Sequence, residues 1–241
     1  HEGTKQTVMP LWIPPLIAFL AGSVPFGLII AKAKGVNIRE HGSGNIGATN
    51  VLRVVGKPYG IGCLFLDFLK GFLPTLLAVN VYLIVGKSPQ FAMDAFEGMA
   101  TAFPAVDAWK AQTLIILTGL AAIMGHNYSP WIGFKGGKGI ATSGGVLVAL
   151  MPVGVVVLLV LWLLIFLTCR YVSIASMGTA LMVPVVTLYG SYRHGYLADG
   201  TWNKPLFIFS IIIAALAVWR HRSNIKALME GTEHKFSKKK K

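Results

Sequence analysis

The sequence predicts an all-α, polytopic membrane helical bundle of about seven transmembrane helices, with its N-terminus outside and its C-terminus cytoplasmic. Three observations predict it. Of 241 residues, 54% are hydrophobic and only 13% charged, against about a quarter charged in a soluble domain. The apolar runs are continuous rather than alternating, and several reach or approach the roughly 20 residues of helix that cross a bilayer. Only helices and closed barrels satisfy the backbone in lipid, and unbroken runs select helices. Finally, the basic residues collect in alternate loops, as cytoplasmic loops require.

The elements follow in order. Residues 1–9 are set aside from the fold, residues 10–233 form one integral membrane domain, and residues 234–241 form a basic cytoplasmic tail ending in Lys238, Lys239, Lys240 and Lys241. The first span covers residues 10–31, and Pro25 predicts a kink near its cytoplasmic end. A polar stretch, 32–57, carries Lys32, Lys34, Arg39, Arg53 and Lys57 against Glu40. The second span covers 58–85. The loop at 86–110 holds Asp94, Glu97 and Asp107 against Lys87 and Lys110, so it belongs outside. The third span covers 111–125, and a glycine-rich loop fills 126–139.

The run at 140–167 reads either as one long helix or as two broken at Met151-Pro152. Placing the 32–57 loop, the 126–139 loop and the C-terminal tail on one side demands an even number of crossings between Gly139 and Arg220. The break at Pro152 provides it, since proline inside a helix often ends it. Spans at 171–189 and 205–219 complete the seven. The formal net charge of +13 lies in the loops and tail, so it reads as orientation and attraction to anionic lipid rather than nucleic-acid binding. Cys63 and Cys169 sit in or at the ends of apolar runs and suggest neither a disulfide framework nor a metal site. No metal and no cofactor are expected.

Three segments carry chemistry. In the first polar loop, Gly42, Gly44 and Gly47 free the backbone so that amides can converge on an anion. Ser43, Asn45, Thr49 and Asn50 add donors, and Arg53 supplies a fork suited to phosphate. In the second, Gly136, Gly137, Lys138 and Gly139 run straight into an apolar helix containing Thr142. A glycine-rich turn at a helix N-terminus suits a phosphate, and Lys138 adds a point charge. It is not a nucleotide-binding P-loop, because Gly139 stands where Ser or Thr is required. In the third, His221 and Asn224 are three apart on one helical face, with Glu233 downstream. Asp67 and Lys70, three apart inside the second span, predict a buried structural pair, since charges within a membrane are costly unless paired. Ser173 and Ser176 open the sixth span on the same side. One decoy, His194 with Asp199, has a His-x4-Asp spacing known from other acyltransferases, but it falls on the outer face.

Together these segments resemble the bacterial acyl-phosphate:glycerol-3-phosphate acyltransferases of the PlsY type. The matching text is residues 42–50 with Arg53, then Gly125-His126 and residues 133–139, then residues 221–224 and 231–233, in the family's order and over nearly the whole chain. The resemblance implies an enzyme that transfers a fatty acyl group from acyl phosphate to the sn-1 hydroxyl of glycerol 3-phosphate. The products are 1-acylglycerol 3-phosphate (lysophosphatidate) and inorganic phosphate, in the first committed step of phospholipid synthesis. It implies Ser43, Arg53, Lys138, His221 and Asn224 as principal site residues, the glycines, Asn45, Thr49, Asn50, Thr142, Ser173 and Ser176 as substrate-binding, and Glu233 as structural. It further implies a bacterial inner membrane location with the site at the cytoplasmic face. The implied partners are the two substrates, the lipid bilayer and, transiently, the enzyme that makes acyl phosphate. Either His221 or a substrate phosphate oxygen takes the proton. The rival reading is a transporter of an anionic organic phosphate; transporters place their sites near the bilayer midplane, whereas these polar residues gather on one face.

Overall fold

A computed structural model describes residues 9–236, so residues 1–8 and the lysine run at 238–241 lie outside the described residues. The first span is two helices, α1 (Ile13–Ser23) and α2 (Phe26–Ala33), interrupted at Val24-Pro25. Proline lacks the amide that would continue the ladder. The 32–57 stretch is not all loop: α3 (Ala48–Val54) forms inside it. It is followed by α4 (Lys57–Val81), α5 (Ala108–Asn127), α6 (Ile140–Leu150), α7 (Pro152–Cys169), α8 (Val172–Arg193), α9 (Lys204–Arg220) and α10 (Arg222–Met229). The break at Met151-Pro152 is present as read from charge.

Five of these segments are long and apolar enough to cross a membrane, and α9 with α10, bent by 50°, makes a sixth. The eleven residues of α6 span about 16 Å at 1.5 Å per residue, roughly half a hydrocarbon core. Two departures from the sequence reading stand on the side away from α3. The second span ends at Val81, four residues early, and Tyr82–Ile84 (β1) pairs in parallel with Thr101–Phe103 (β2). The bundle therefore carries a small sheet. It forms because the 85–107 segment is not simply polar: Phe96 and Phe103 pack with Val81, Tyr82 and Ala111, and strand pairing satisfies the backbone that this packing buries.

Helix contacts rely on missing side chains. A Cβ at Gly145 of α6 would sit on the Phe68 carbonyl of α4, and one at Gly71 of α4 on the Thr142 carbonyl of α6. Such close approach is how helices associate in lipid, where the hydrophobic effect gives no preference for helix over solvent. By contrast α7 buries only Leu158. Its Val153, Leu159 and Leu164 are more than half exposed, as expected of a helix whose outer face meets acyl chains.

Candidate active site

The three polar segments meet at one end of the bundle, around a cavity of about 530 Å³. The first loop is shaped by Asn50, which is 1% exposed. Its Nδ2 donates to the carbonyls of Asn45 (2.9 Å), His41 (3.0 Å) and Ile38 (3.3 Å), and its Oδ1 accepts the Ser43 amide (3.0 Å). Every one of these side-chain hydrogen bonds is directed at the loop itself. Gly42 and Gly44 turn in the left-handed region, at φ of 60° and 66°. This fold of the loop lets Ser43, Asn45, Thr49 and Arg53 line the cavity.

The second loop is held from two sides. The amides of Gly136 and Gly137 donate to the carbonyls of Asn127 and His126, both at 3.1 Å. The Arg220 guanidinium donates to the carbonyls of Gly136 (2.8 Å) and Gly137 (2.6 and 3.0 Å) and lies over the Tyr128 ring. Lys138 and Gly139 then reach the cavity, followed by Ile140 and Ala141 in the first turn of α6. That turn has no side-chain cap, so its amides are available to an anion.

From the third segment, the Lys138 ammonium donates to Asn224 Oδ1. Asn224 Nδ2 donates to Glu233 Oε1 (2.8 Å), which also accepts from Ser173 Oγ (2.7 Å). A donor-only ammonium on one side and an acceptor on the other fix which way the Asn224 amide points. His221, 3% exposed, sits where α9 bends into α10. Its Nδ1 lies 2.7 Å from the Ala217 carbonyl. A carbonyl only accepts, so Nδ1 carries the proton and Nε2 keeps a free lone pair. Burial, then the charge of Lys138, push the His221 imidazole down to about 4, so it is neutral at pH 7. Burial also lowers the Lys138 ammonium to about 8, partly offset by Glu233. From this polar end the cavity runs into an apolar slot, between Ile61 and Leu64 of α4 and Leu159, Trp162 and Phe166 of α7. Trp162 stacks on Phe166 at 5.1 Å and donates to Ser176 Oγ at 3.2 Å.

A family model for glycerol-3-phosphate acyltransferase matches residues 12–231. The chain belongs to that family. The glycerol-3-phosphate acyltransferase of Aquifex aeolicus (strain VF5) is 41% identical over 221 residues, covering 92% of this chain and 96% of that one. The one from Geotalea daltonii is 40% identical over 222 residues, covering 92% and 95%. Two crystal structures of PlsY, an integral membrane glycerol 3-phosphate acyltransferase, superpose on it at 39% identity. The glycerol 3-phosphate form gives a TM-score of 0.73 over 94% of this chain and 96% of that chain. The lysophosphatidic acid form gives 0.70 over 94% and 95%.

Several sequence expectations for this acyltransferase need correction. Gly136 and Gly137 cannot cradle a phosphate with their amides, which are already bonded to α5 carbonyls; the available amides lie one turn later. Thr142 is buried against Gly71, and Gly42 and Gly44 shape the turn without lining the cavity. Residues 234–236 do not leave as a tail. The Phe236 amide donates to the Arg170 carbonyl at 3.0 Å, and its ring meets Phe166 and lies under Arg53. Asp67 and Lys70 do pair, at 2.8 Å, and Lys70 also donates to the Val24 carbonyl at the break in the first span. His194 and Asp199 follow the end of α8; Asp199 accepts from Thr201 instead. Arg220 and His126 were missed as parts of the site. Their partners are about 83 and 60 residues away in sequence, and no local spacing announces them.

Proposed function

We propose that this cavity transfers a fatty acyl group from acyl phosphate to the sn-1 hydroxyl of glycerol 3-phosphate, at the cytoplasmic face of a bacterial inner membrane. The observation that carries the reading is one cavity with two characters: a basic, donor-rich end at Arg53, Lys138 and the start of α6, continuous with an apolar slot between α4 and α7. That pairing suits a phosphate-bearing acyl donor and a polar phosphate acceptor meeting at an interface. The acyl chain lies along Leu64, Trp162 and Phe166. Ser43, Arg53, His221 and Asn224 face the glycerol phosphate, and Lys138 with the α6 amides neutralises the donor's phosphate.

In the chemical step the sn-1 oxygen attacks the acyl carbonyl carbon. The new ester C–O bond forms, the acyl–phosphate C–O bond breaks, and inorganic phosphate leaves with that electron pair. The acyl phosphate is already activated, so no covalent enzyme intermediate is required. The hydroxyl proton goes to His221 Nε2 or to a phosphate oxygen of a substrate. A loss of about 10²–10⁴ in kcat for His221→Gln assigns it to the imidazole; a much smaller loss assigns it to the substrate.

The purified protein is to be incubated with palmitoyl phosphate and labelled glycerol 3-phosphate, beside Lys138→Ala. The expected result is labelled lysophosphatidate from the wild type and little from the variant. No product from folded protein with palmitoyl phosphate, but product with palmitoyl-CoA, would overturn the donor. No product with either would overturn the reaction.

A further inference from the structure

Behind the glycine loop lies a buried polar chain that the proposed chemistry does not use. At the break in the first span the Val24 carbonyl accepts from Lys70 at 2.7 Å. Lys70 pairs with Asp67 at 2.8 Å. Asp67 Oδ1 faces His126 Nδ1 at 3.7 Å. The His126 ring in turn lies against Gly137: a Cβ there would fall on Nε2, and would stand 2.9 Å from Cε1 and 3.2 Å from Cδ2. The His126 carbonyl accepts the Gly137 amide, so the same residue grips this glycine by backbone and by ring. Arg220 closes the opposite side through the carbonyls of Gly136 and Gly137. The next residue is Lys138. Asp67 and His126 are 3% and 5% exposed; Asp67 Oδ1 is held by the Lys70 ammonium, whereas His126 Nδ1 meets no hydrogen-bond partner of good geometry. Such a ring nitrogen is costly to bury inside a bundle unless its placement serves something else.

We propose that His126, backed by Asp67, is a positioning residue for acyl transfer: its ring sets the backbone of Gly137 and thereby the place of the Lys138 ammonium. Gly137 is not in the left-handed region, so the ring, and not its backbone conformation, is what excludes a side chain there. This rests on the reading of Lys138 as a phosphate-binding cation.

The test is a double-mutant cycle on the full-length protein in detergent micelles, with palmitoyl phosphate and glycerol 3-phosphate. Gly137→Ala drives a methyl into the ring and displaces the loop; a misplacement of about 1 Å is expected to lower kcat/KM on the order of 10²-fold. His126→Ala removes the ring and is expected to cost a similar factor. Adding Gly137→Ala to His126→Ala should then cost no more than about twofold, because the clash has gone. Full additivity would overturn the proposal, as would wild-type kcat/KM in either single variant. A second readout separates positioning from mere support. Lys138 is faced by Glu233, Arg220, Arg53 and His221, and its burial depends on a tight loop. In both single variants the alkaline limb of kcat/KM should lie above that of the wild type, which is expected near pH 8, whereas an unmoved limb would overturn the proposal. If His126→Ala does not accumulate, Gly137→Ala and its limb decide alone. Calorimetric binding of inorganic phosphate to the wild type and to Lys138→Ala isolates the premise: equal affinities would remove the reading of Lys138, and not only this inference.

Discussion

At Lys138 the ammonium sits in a partly enclosed pocket where burial opposes its charge, Glu233 supports it, and Arg220 and Arg53 oppose it further. A phosphate-binding lysine must be protonated. Its value of about 8 lies below that of an ordinary lysine, so the free enzyme loses the charge as pH rises through that region. The kcat/KM profile is expected to fall through an alkaline limb near pH 8, since kcat/KM reports the free enzyme. Lys138→Arg, which keeps its charge at all these pH values, should remove that limb even where it lowers the rate. A limb left in place by Lys138→Arg would assign it to another group. His221, held at about 4, stays neutral across this range, so the fall cannot be charged to the imidazole. Lys138, His221 and Asn224 were legible as candidates because each stands in a local pattern of glycine or helical spacing. Arg220 was read only as a tail charge, because its role arises from two carbonyls far away in sequence.

Helix α6 serves the site at its start and is held in place along its face. Its N-terminus carries Lys138 and Gly139 to the cavity, and its face is pressed to α4 by Gly145 and Gly71. Gly145→Val should push the helices apart and cost about 1–3 kcal/mol by overpacking, visible as a lower thermal midpoint together with reduced kcat. Gly144 is the built-in control, since nothing lies within 4 Å of a Cβ placed there. Gly144→Ala should leave activity unchanged and stability equal or slightly raised. Equal damage from both substitutions would remove the contact argument. The break at Met151-Pro152 was legible because loop charge and proline agree. The β1–β2 pair was not, because three-residue strands carry too little periodicity to separate from loop.

For the whole molecule, the cavity, α3, α10 and the basic loops share one end of the bundle. The β1–β2 sheet, whose loop carries Asp94 and Glu97, takes the other. By the charge rule the first end is expected in the cytoplasm. In cells whose native Cys63 and Cys169 are replaced by alanine, a membrane-impermeant maleimide should label Asp94→Cys directly. It should label Lys226→Cys only after permeabilisation. The reverse pattern would invert the molecule.

By itself the sequence determined the class of protein, the approximate place of most helices, and three polar segments that the fold brings to one cavity. It could do so because hydrophobic length, loop charge and glycine spacing are local quantities, read within a window of about 20 residues. Only the tertiary structure decided which amides remain free, why Asn50 shapes the loop while Asn224 meets Lys138, and that residues 234–236 fold back over the cavity. It alone also placed Arg220 and His126 on either face of one glycine turn. Those outcomes depend on contacts between residues tens of positions apart, where hydrogen-bond capacity is spent once and the partner that takes it is set by packing.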